Sequence, residues 1–219
     1  MKKVSTENDF IYLLVALVAM LFATALLQEI NIDADQESFG LIFFLVLVLA
    51  VHSVRKERTW MWTVYFLSFL VALLYLLHML FSVTVAEVFN LVIMLLFFIG
   101  TFFSSYSQIL LRKHIDNNLI MGSIALYLLL GLIWTIFYLL LLIVSPDAFN
   151  GLEPLAWQEN FSRVAYYSFV TLTTLGYGDI SPKNPLAEFF VYAEAIVGVF
   201  YMAIIVASLV SARLAQPHK

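Results

Sequence analysis

Five consecutive residues have the clearest potential for chemistry, and they read Thr174-Leu175-Gly176-Tyr177-Gly178. A cation sheds its water only where other oxygens replace it, and backbone carbonyls can do this if successive residues point them the same way. Such a backbone needs unusual dihedral angles, which glycine adopts at little cost. Gly176 and Gly178 alternate with Leu175 and Tyr177, and the Thr174 hydroxyl would add an oxygen at the inner end. Four such loops around an axis would form rings of oxygens, so the segment predicts K+ sites at Thr174, Leu175, Gly176 and Tyr177.

A short apolar and aromatic run, Phe161–Thr173, precedes these residues and must position them. About 13 residues cannot span a bilayer as a helix, so the run predicts a re-entrant helix. Non-helical backbone at membrane depth persists only where it is buried in protein or lines water, and the loop after this helix therefore needs a pore or a shield. The C-terminal end of the helix carries partial negative charge, which would favour a cation beside it.

The seven residues from Thr173 to Asp179, Thr-Thr-Leu-Gly-Tyr-Gly-Asp, resemble the signature of the potassium channel superfamily. The resemblance covers roughly Leu119–Leu214 and implies an outer helix, a pore helix, a selectivity filter and an inner helix. It implies a filter at Thr174–Gly178, with K+ as the permeant ion and no cofactor, and it implies no catalytic residue. Because one chain supplies one filter loop, it also implies a homotetramer with three identical subunits as partners.

The resemblance further implies supporting roles next to the filter. The Tyr177 side chain would point away from the pore, Tyr166 and Tyr167 would pack around the filter, and Asp179 would accept hydrogen bonds behind its outer end. Thr173 would support the inner end. Leu175 stands where the family commonly has Val or Ile, which matters little because its carbonyl is the ligand. Val170 stands where some bacterial members carry a Glu that pairs with the Asp, and that pair is therefore not expected here.

Two residues of the last apolar run are candidates for gating. Gly198 follows Asp179 by 19 residues and resembles the hinge glycine of the family's inner helices, although close helix packing would explain it equally well. Glu194 is an ionisable residue within a predicted span, which is a functional hypothesis by default. It would face the pore helix and pair with a hydroxyl, be protonated, or reach the membrane surface. We expect it to tune gating or filter stability rather than ion choice.

The elements around these residues indicate an all-α membrane protein. The chain is 63% hydrophobic and only 12% charged, whereas soluble chains are about 25% charged. Cysteine is absent, which excludes disulfides and thiolate chemistry. We expect the first apolar run to be a retained span rather than a cleaved leader. Six apolar runs are long enough, or nearly so, to be membrane helices: Phe10–Leu27, Phe39–Val54, Trp60–Phe81, Val88–Tyr106, Leu119–Val144 and Leu186–Leu214.

Six crossings would place nine of the eleven basic residues on one side, which predicts a multi-pass protein of the plasma (cell inner) membrane with both termini in the cytoplasm. We divide the chain into a four-helix transmembrane domain, residues 1–114, and a pore domain, residues 115–219. The fourth run, Val88–Tyr106, contains no Lys or Arg, so it cannot move charge as a voltage sensor does. The sequence therefore predicts a six-helix, prokaryotic-type channel with one pore loop and weak or no intrinsic voltage dependence.

Other classes of protein fit less well. A membrane enzyme would need a nucleophile, base or metal set, and the sequence shows no such constellation. A secondary transporter would show broken helices in both halves, whereas only one broken segment is present. A non-selective cation channel of the same fold would not need the intact Gly-Tyr-Gly. We expect the lipid bilayer as a partner, no nucleic acid, and no regulatory partner that the sequence identifies.

Overall fold

The computed structural model of the protein describes residues 9–29, 85–110, 117–153 and 155–207, and within these ranges the chain is mostly helical. Two short strands form the remaining regular structure. The elements in chain order are α1 (Asp9–Glu29), α2 (Val85–Leu110), α3 (Asn117–Val144), β1 (Phe149–Asn150), α4 (Trp157–Leu172), β2 (Ser181–Pro182), α5 (Pro185–Phe200) and a π-helical segment (Tyr201–Val206).

Within the described residues, four stretches of helix are long and apolar enough to cross a membrane, namely Phe10–Glu29, Glu87–Ile109, Asn118–Val144 and Pro185–Ile204. They correspond to the first, fourth, fifth and sixth predicted runs, and they are consistent with the predicted all-α membrane protein. The predicted runs Phe39–Val54 and Trp60–Phe81 lie outside the described residues, as do the end of the sixth run and the nine basic residues behind the predicted orientation. The count of six helices and the division into two domains therefore stay predictions.

The starts of α1 and α3 and the end of α2 meet at one level. The Phe10 backbone N–H donates to Asn118 Oδ1 at 3.1 Å. A Cβ at Gly122 would lie 2.9 Å from the Phe10 ring and 3.2 Å from Ile109 Cδ1, so only a residue without a side chain lets the three helices approach this closely. It follows that α1 and α3 run in the same direction and that α2 runs in the opposite one.

α3 is the central helix of the described structure, and α1, α2 and α4 all pack against it. The side chains of α3 that point towards the other helices are almost completely inaccessible to solvent. They include Leu126, Leu129, Leu132, Ile136 and Leu139. The mostly apolar circumference follows, because the side of α3 that does not face protein would face lipid.

α5 runs back along α3 in the opposite direction. Its start is fixed by Asn184, whose Oδ1 accepts from the Ala187 N–H at 2.8 Å, with Pro185 at the first helical position. This is a favourable N-cap, since the asparagine satisfies a backbone donor that the helix cannot. The Asn184 amide also donates to Ser145 Oγ at 3.2 Å, which ties the start of α5 to the end of α3.

α4 enters the molecule from one end and stops at the middle of α3. Its 16 residues measure about 24 Å, less than the roughly 30 Å of a bilayer core. It begins at Trp157, four residues before the predicted Phe161, because its first turn is polar and an apolar criterion misses it. The loop after α4 returns to the level at which α4 began, where β2 pairs antiparallel with β1.

Candidate functional site

The loop after α4 is held by the end of that helix. The backbone N–H of Thr174 donates to the Thr171 carbonyl at 2.8 Å, and that of Leu175 donates to the Val170 carbonyl at 2.9 Å. The Gly176 N–H approaches the same Val170 carbonyl at 3.4 Å. These bonds satisfy carbonyls that a helix end leaves without partners. They also fix the direction in which the chain leaves α4.

The backbone of the loop alternates in handedness. Thr174, Gly176 and Gly178 have positive φ angles of 58°, 56° and 81°, whereas Leu175 and Tyr177 between them do not have positive φ. When neighbouring residues have dihedral angles of opposite hand, successive peptide planes turn so that their carbonyl oxygens point to one side. Thr174 is the only non-glycine residue with positive φ in the described chain, and a β-branched residue in this region is a genuine outlier. The loop is therefore strained at the position where a side-chain oxygen was predicted.

Tyr166 braces the outer half of the loop. Its ring stacks on that of Tyr177, with centroids 6.5 Å apart and planes 7° from parallel. Tyr166 and Asp179 line the same cavity. Partial desolvation, followed by the nearby carboxylate of Asp179, raises the pKa of Tyr166 above its ordinary value, while Arg163 lowers it. The phenol therefore remains a hydrogen-bond donor at neutral pH.

Tyr167 lies on the buried side of α4. Its ring centroid is 5.5 Å from that of Tyr138 on α3 and 5.3 Å from that of Phe149 on β1. The three rings form one cluster, since the ring centroids of Tyr138 and Phe149 are also only 5.4 Å apart. This packing fixes α4 against the rest of the chain. Thr173, in contrast, is exposed in the single chain, and its hydroxyl donates back to the Phe169 carbonyl at 2.6 Å.

Gly151 joins the two ends of this region, a role that sequence reasoning missed. It has a φ of +80°, and a Cβ there would lie 2.2 Å from the Asp179 carbonyl oxygen. Arg163 Nη2 donates to the Gly151 carbonyl at 3.1 Å, so α4 holds the same turn. A lone glycine in a loop gives no sign of this contact, because the contact depends on a partner 28 residues away.

Gly198 touches the end of α4. A Cβ at Gly198 would lie 2.0 Å from the Leu172 carbonyl oxygen and 3.0 Å from its carbon, so backbone meets backbone here. The Tyr127 hydroxyl donates to the same carbonyl at 3.1 Å. Of the two explanations for this glycine, close packing has direct support in the structure. A hinge at Gly198 stays a prediction.

Glu194 is completely buried between α3, α4 and α5, with 0% of its surface exposed. The Tyr138 hydroxyl donates to Glu194 Oε2 at 2.5 Å, and Ser168 Oγ lies 2.6 Å from Glu194 Oε1. The alternative in which this carboxyl reaches the membrane surface is therefore wrong. Sequence reasoning expected a hydroxyl partner but could not name one, because Ser168 and Tyr138 look like ordinary residues of apolar helices.

Comparison with known proteins gives a consistent class for this part of the chain. Residues 123–213, about two fifths of the chain, match a family described as "Ion channel". Over 92 residues the chain is 33% identical to a protein named "Inward rectifier potassium channel Kirbac3.1" from Paramagnetospirillum magnetotacticum. That alignment covers 42% of this chain and 28% of the relative, so the chain spans less than a third of the relative's length. No solved structure matches the chain.

Residues 123–213 are thus similar to an ion-channel family and 92 residues of the chain to part of a potassium channel, and the described residues include helices long and apolar enough to cross a membrane. Among the residues that the structure describes, no group of three or more His, Cys, Asp or Glu side chains could hold a metal ion.

Proposed function

We propose that the chain is one subunit of a potassium-selective channel that conducts K+ passively across the membrane, with Thr174–Gly178 as its selectivity filter. The alternating handedness at Thr174, Gly176 and Gly178 carries this proposal. It is the backbone pattern that lets consecutive carbonyls replace the water around a potassium ion. The strain at Thr174 supports it further, since strained backbone tends to occur where function requires it.

The path of the chain supports a re-entrant pore helix. α4 starts and the filter ends at the level of the β1–β2 ladder, while Ser168 near the end of α4 contacts Gly131 at the midpoint of the Asn118–Val144 span. The filter would therefore lie in the outer half of the membrane. The end of α4 would point its partial negative charge towards the membrane centre, where it favours a cation.

The helix directions agree with six crossings. α1 and α3 are parallel and α2 is antiparallel to both, so the end of α1 at Glu29 and the start of α2 at Val85 lie on the same side, as two further crossings between them would require. We propose a multi-pass protein of the plasma (cell inner) membrane with both termini in the cytoplasm and a pore domain at residues 115–219. Residues 1–114 would form the domain around it.

The substitution Gly176→Ala tests the filter. The added methyl meets no atom within 4 Å, but a φ of +56° is strained for alanine, so the backbone rather than packing is perturbed. We expect loss of potassium selectivity or of conduction, measured as the reversal potential of purified protein under a potassium gradient against sodium. Val144→Ala is the control, because Val144 at the end of α3 is 81% exposed and its truncation should leave the reversal potential unchanged.

Unchanged potassium selectivity in Gly176→Ala would remove Thr174–Gly178 as the filter. Equal conduction of sodium and potassium by the unmodified protein would instead indicate a non-selective cation channel of the same fold.

A further inference from the structure

Three short contacts between oxygen atoms run in a row through the buried space between α3, α4 and α5. Tyr138 Oη lies 2.5 Å from Glu194 Oε2, and Glu194 Oε1 lies 2.6 Å from Ser168 Oγ. Ser168 Oγ in turn lies 2.8 Å from the Gly131 carbonyl oxygen. All three distances fall in the range of O–H···O hydrogen bonds, so each contact needs a hydrogen between its two oxygens.

The two hydroxyl groups cannot supply three hydrogens. Tyr138 and Ser168 each carry one O–H, and the carbonyl of Gly131 carries none. The Tyr138 hydrogen serves the contact to Glu194. If the Ser168 hydrogen serves Gly131, the contact between Ser168 and Glu194 requires a hydrogen from the carboxyl group. If it serves Glu194 instead, the contact to Gly131 is left as two facing acceptors.

The surroundings of the carboxyl agree with a neutral group. Among the described residues, the titratable groups that act on it are the phenols of Tyr127 and Tyr138 on α3 and of Tyr167 on α4. The two basic residues in the described ranges lie elsewhere, since Arg163 bonds the Gly151 carbonyl and Lys183 is exposed at the end of β2. A buried carboxylate without a cation is strongly unfavourable, and neutralisation is the usual outcome.

We propose that Glu194 is held as a carboxylic acid that donates its proton to Ser168, and that it acts as a positioning residue for the filter. The resulting series of hydrogen bonds runs from Glu194 on α5 to Ser168 on α4, and from Ser168 to the Gly131 carbonyl on α3. The proton on the Glu194 carboxyl therefore helps to fix α4 against α3. α4 supplies the Val170 carbonyl that accepts from Leu175, and its rotation therefore sets the filter backbone. The positioning role rests on the proposed function, whereas the protonation state does not.

Two substitutions of Glu194 test whether its side chain is a neutral carboxylic acid or a charged carboxylate. In Glu194→Gln the amide oxygen accepts from Tyr138 and the NH2 group donates to Ser168, which is the same pattern as the neutral acid. We expect native thermal stability and native potassium selectivity in this variant. Glu194→Leu keeps much of the volume but removes both bonds, so we expect a lower melting temperature and weakened selectivity. Glu188→Gln and Glu188→Leu are matched controls, because Glu188 is an exposed carboxyl on the same helix.

Infrared difference spectroscopy on purified protein at neutral pH tests the proton directly. Subtracting the Glu194→Gln spectrum from the native one should leave the carbonyl stretch of a carboxylic acid. A carboxylate band in its place overturns the proposal, as does a Gln variant that is as damaged as the Leu variant. An acid band in a protein that does not select potassium would contradict the proposed function while leaving the protonation of Glu194 intact.

Discussion

Thr174 shows how one residue departs from its preferred conformation when its neighbours require it. A threonine at a φ of 58° stores on the order of 1–3 kcal/mol of strain. Two backbone hydrogen bonds hold it there, from the Thr174 N–H to the Thr171 carbonyl and from the Leu175 N–H to the Val170 carbonyl. The glycines at 176 and 178 made alternation predictable from the sequence. The strained threonine was not predictable in this way, because nothing in its residue type favours positive φ.

Gly198 is the residue for which packing and hinge roles give opposite expectations. Glycine to alanine within a helix normally stabilises by about 1 kcal/mol. Here the new methyl would lie 2.0 Å from the Leu172 carbonyl oxygen, and backbone on both sides limits relief. Overpacking typically costs about 1–3 kcal/mol, so we expect Gly198→Ala to lower the melting temperature of the purified protein and to disturb selectivity.

Val199→Ala is the control for this prediction, since Val199 is the next residue and is exposed in the single chain. A Gly198→Ala protein with native or raised stability and only altered opening kinetics would favour the hinge role instead.

At the scale of elements, the sequence identified the helices better than their ends. The runs behind α1, α2, α3 and α5 were predicted because each is long and apolar. The polar first turn of α4 was missed, and so was the π-helical segment Tyr201–Val206. Its residues are as apolar as those before it, and periodicity does not distinguish the two kinds of helix. The π-helical segment is instead marked by a tertiary contact at its first residue, because the Tyr201 hydroxyl donates to the Ser123 carbonyl of α3 at 2.6 Å.

α2 carries the prediction about voltage. None of its residues from Val85 to Leu110 is Lys or Arg, so moving this helix transfers no positive side-chain charge through the membrane field. Each transferred charge would be worth about 2.3 kcal/mol per 100 mV. We therefore expect a shallow dependence of steady-state open probability on voltage, recorded from single channels in planar bilayers between about −100 and +100 mV. A steep sigmoid equivalent to several gating charges would contradict this reading of the first part of the chain.

At the scale of the whole molecule, a single chain leaves the filter uncovered. Leu175 is 56% exposed and Tyr177 67% exposed, although both belong to a segment that must be shielded at membrane depth. α5 likewise presents a row of uncovered apolar side chains, including Phe189, Tyr192, Ile196 and Phe200. Local motifs predicted Thr174–Gly178 as the filter, and this assignment stays a prediction. What surrounds them depends on contacts between distant segments and between chains, which sequence order does not reveal.

We expect four copies of the chain to complete the channel. Native mass spectrometry in detergent should give a complex of four 25.0 kDa chains, and imaging of the same sample should show four-fold symmetry. One filter loop per chain requires this number if carbonyl oxygens are to surround an ion. A stable monomer, dimer or trimer that conducts would refute the arrangement.

The contact between Gly198 and Leu172 has a mechanical consequence for such an assembly. Because the backbone of α5 bears directly on the last carbonyl of α4, no compressible side chain lies between them to absorb movement. Leu172 is followed immediately by Thr173 and the strained Thr174. A shift of α5 at this point would therefore be transmitted as a displacement of the filter entrance. Opening at the inner end of the pore and the conformation of the filter would then be one coupled motion rather than two independent gates.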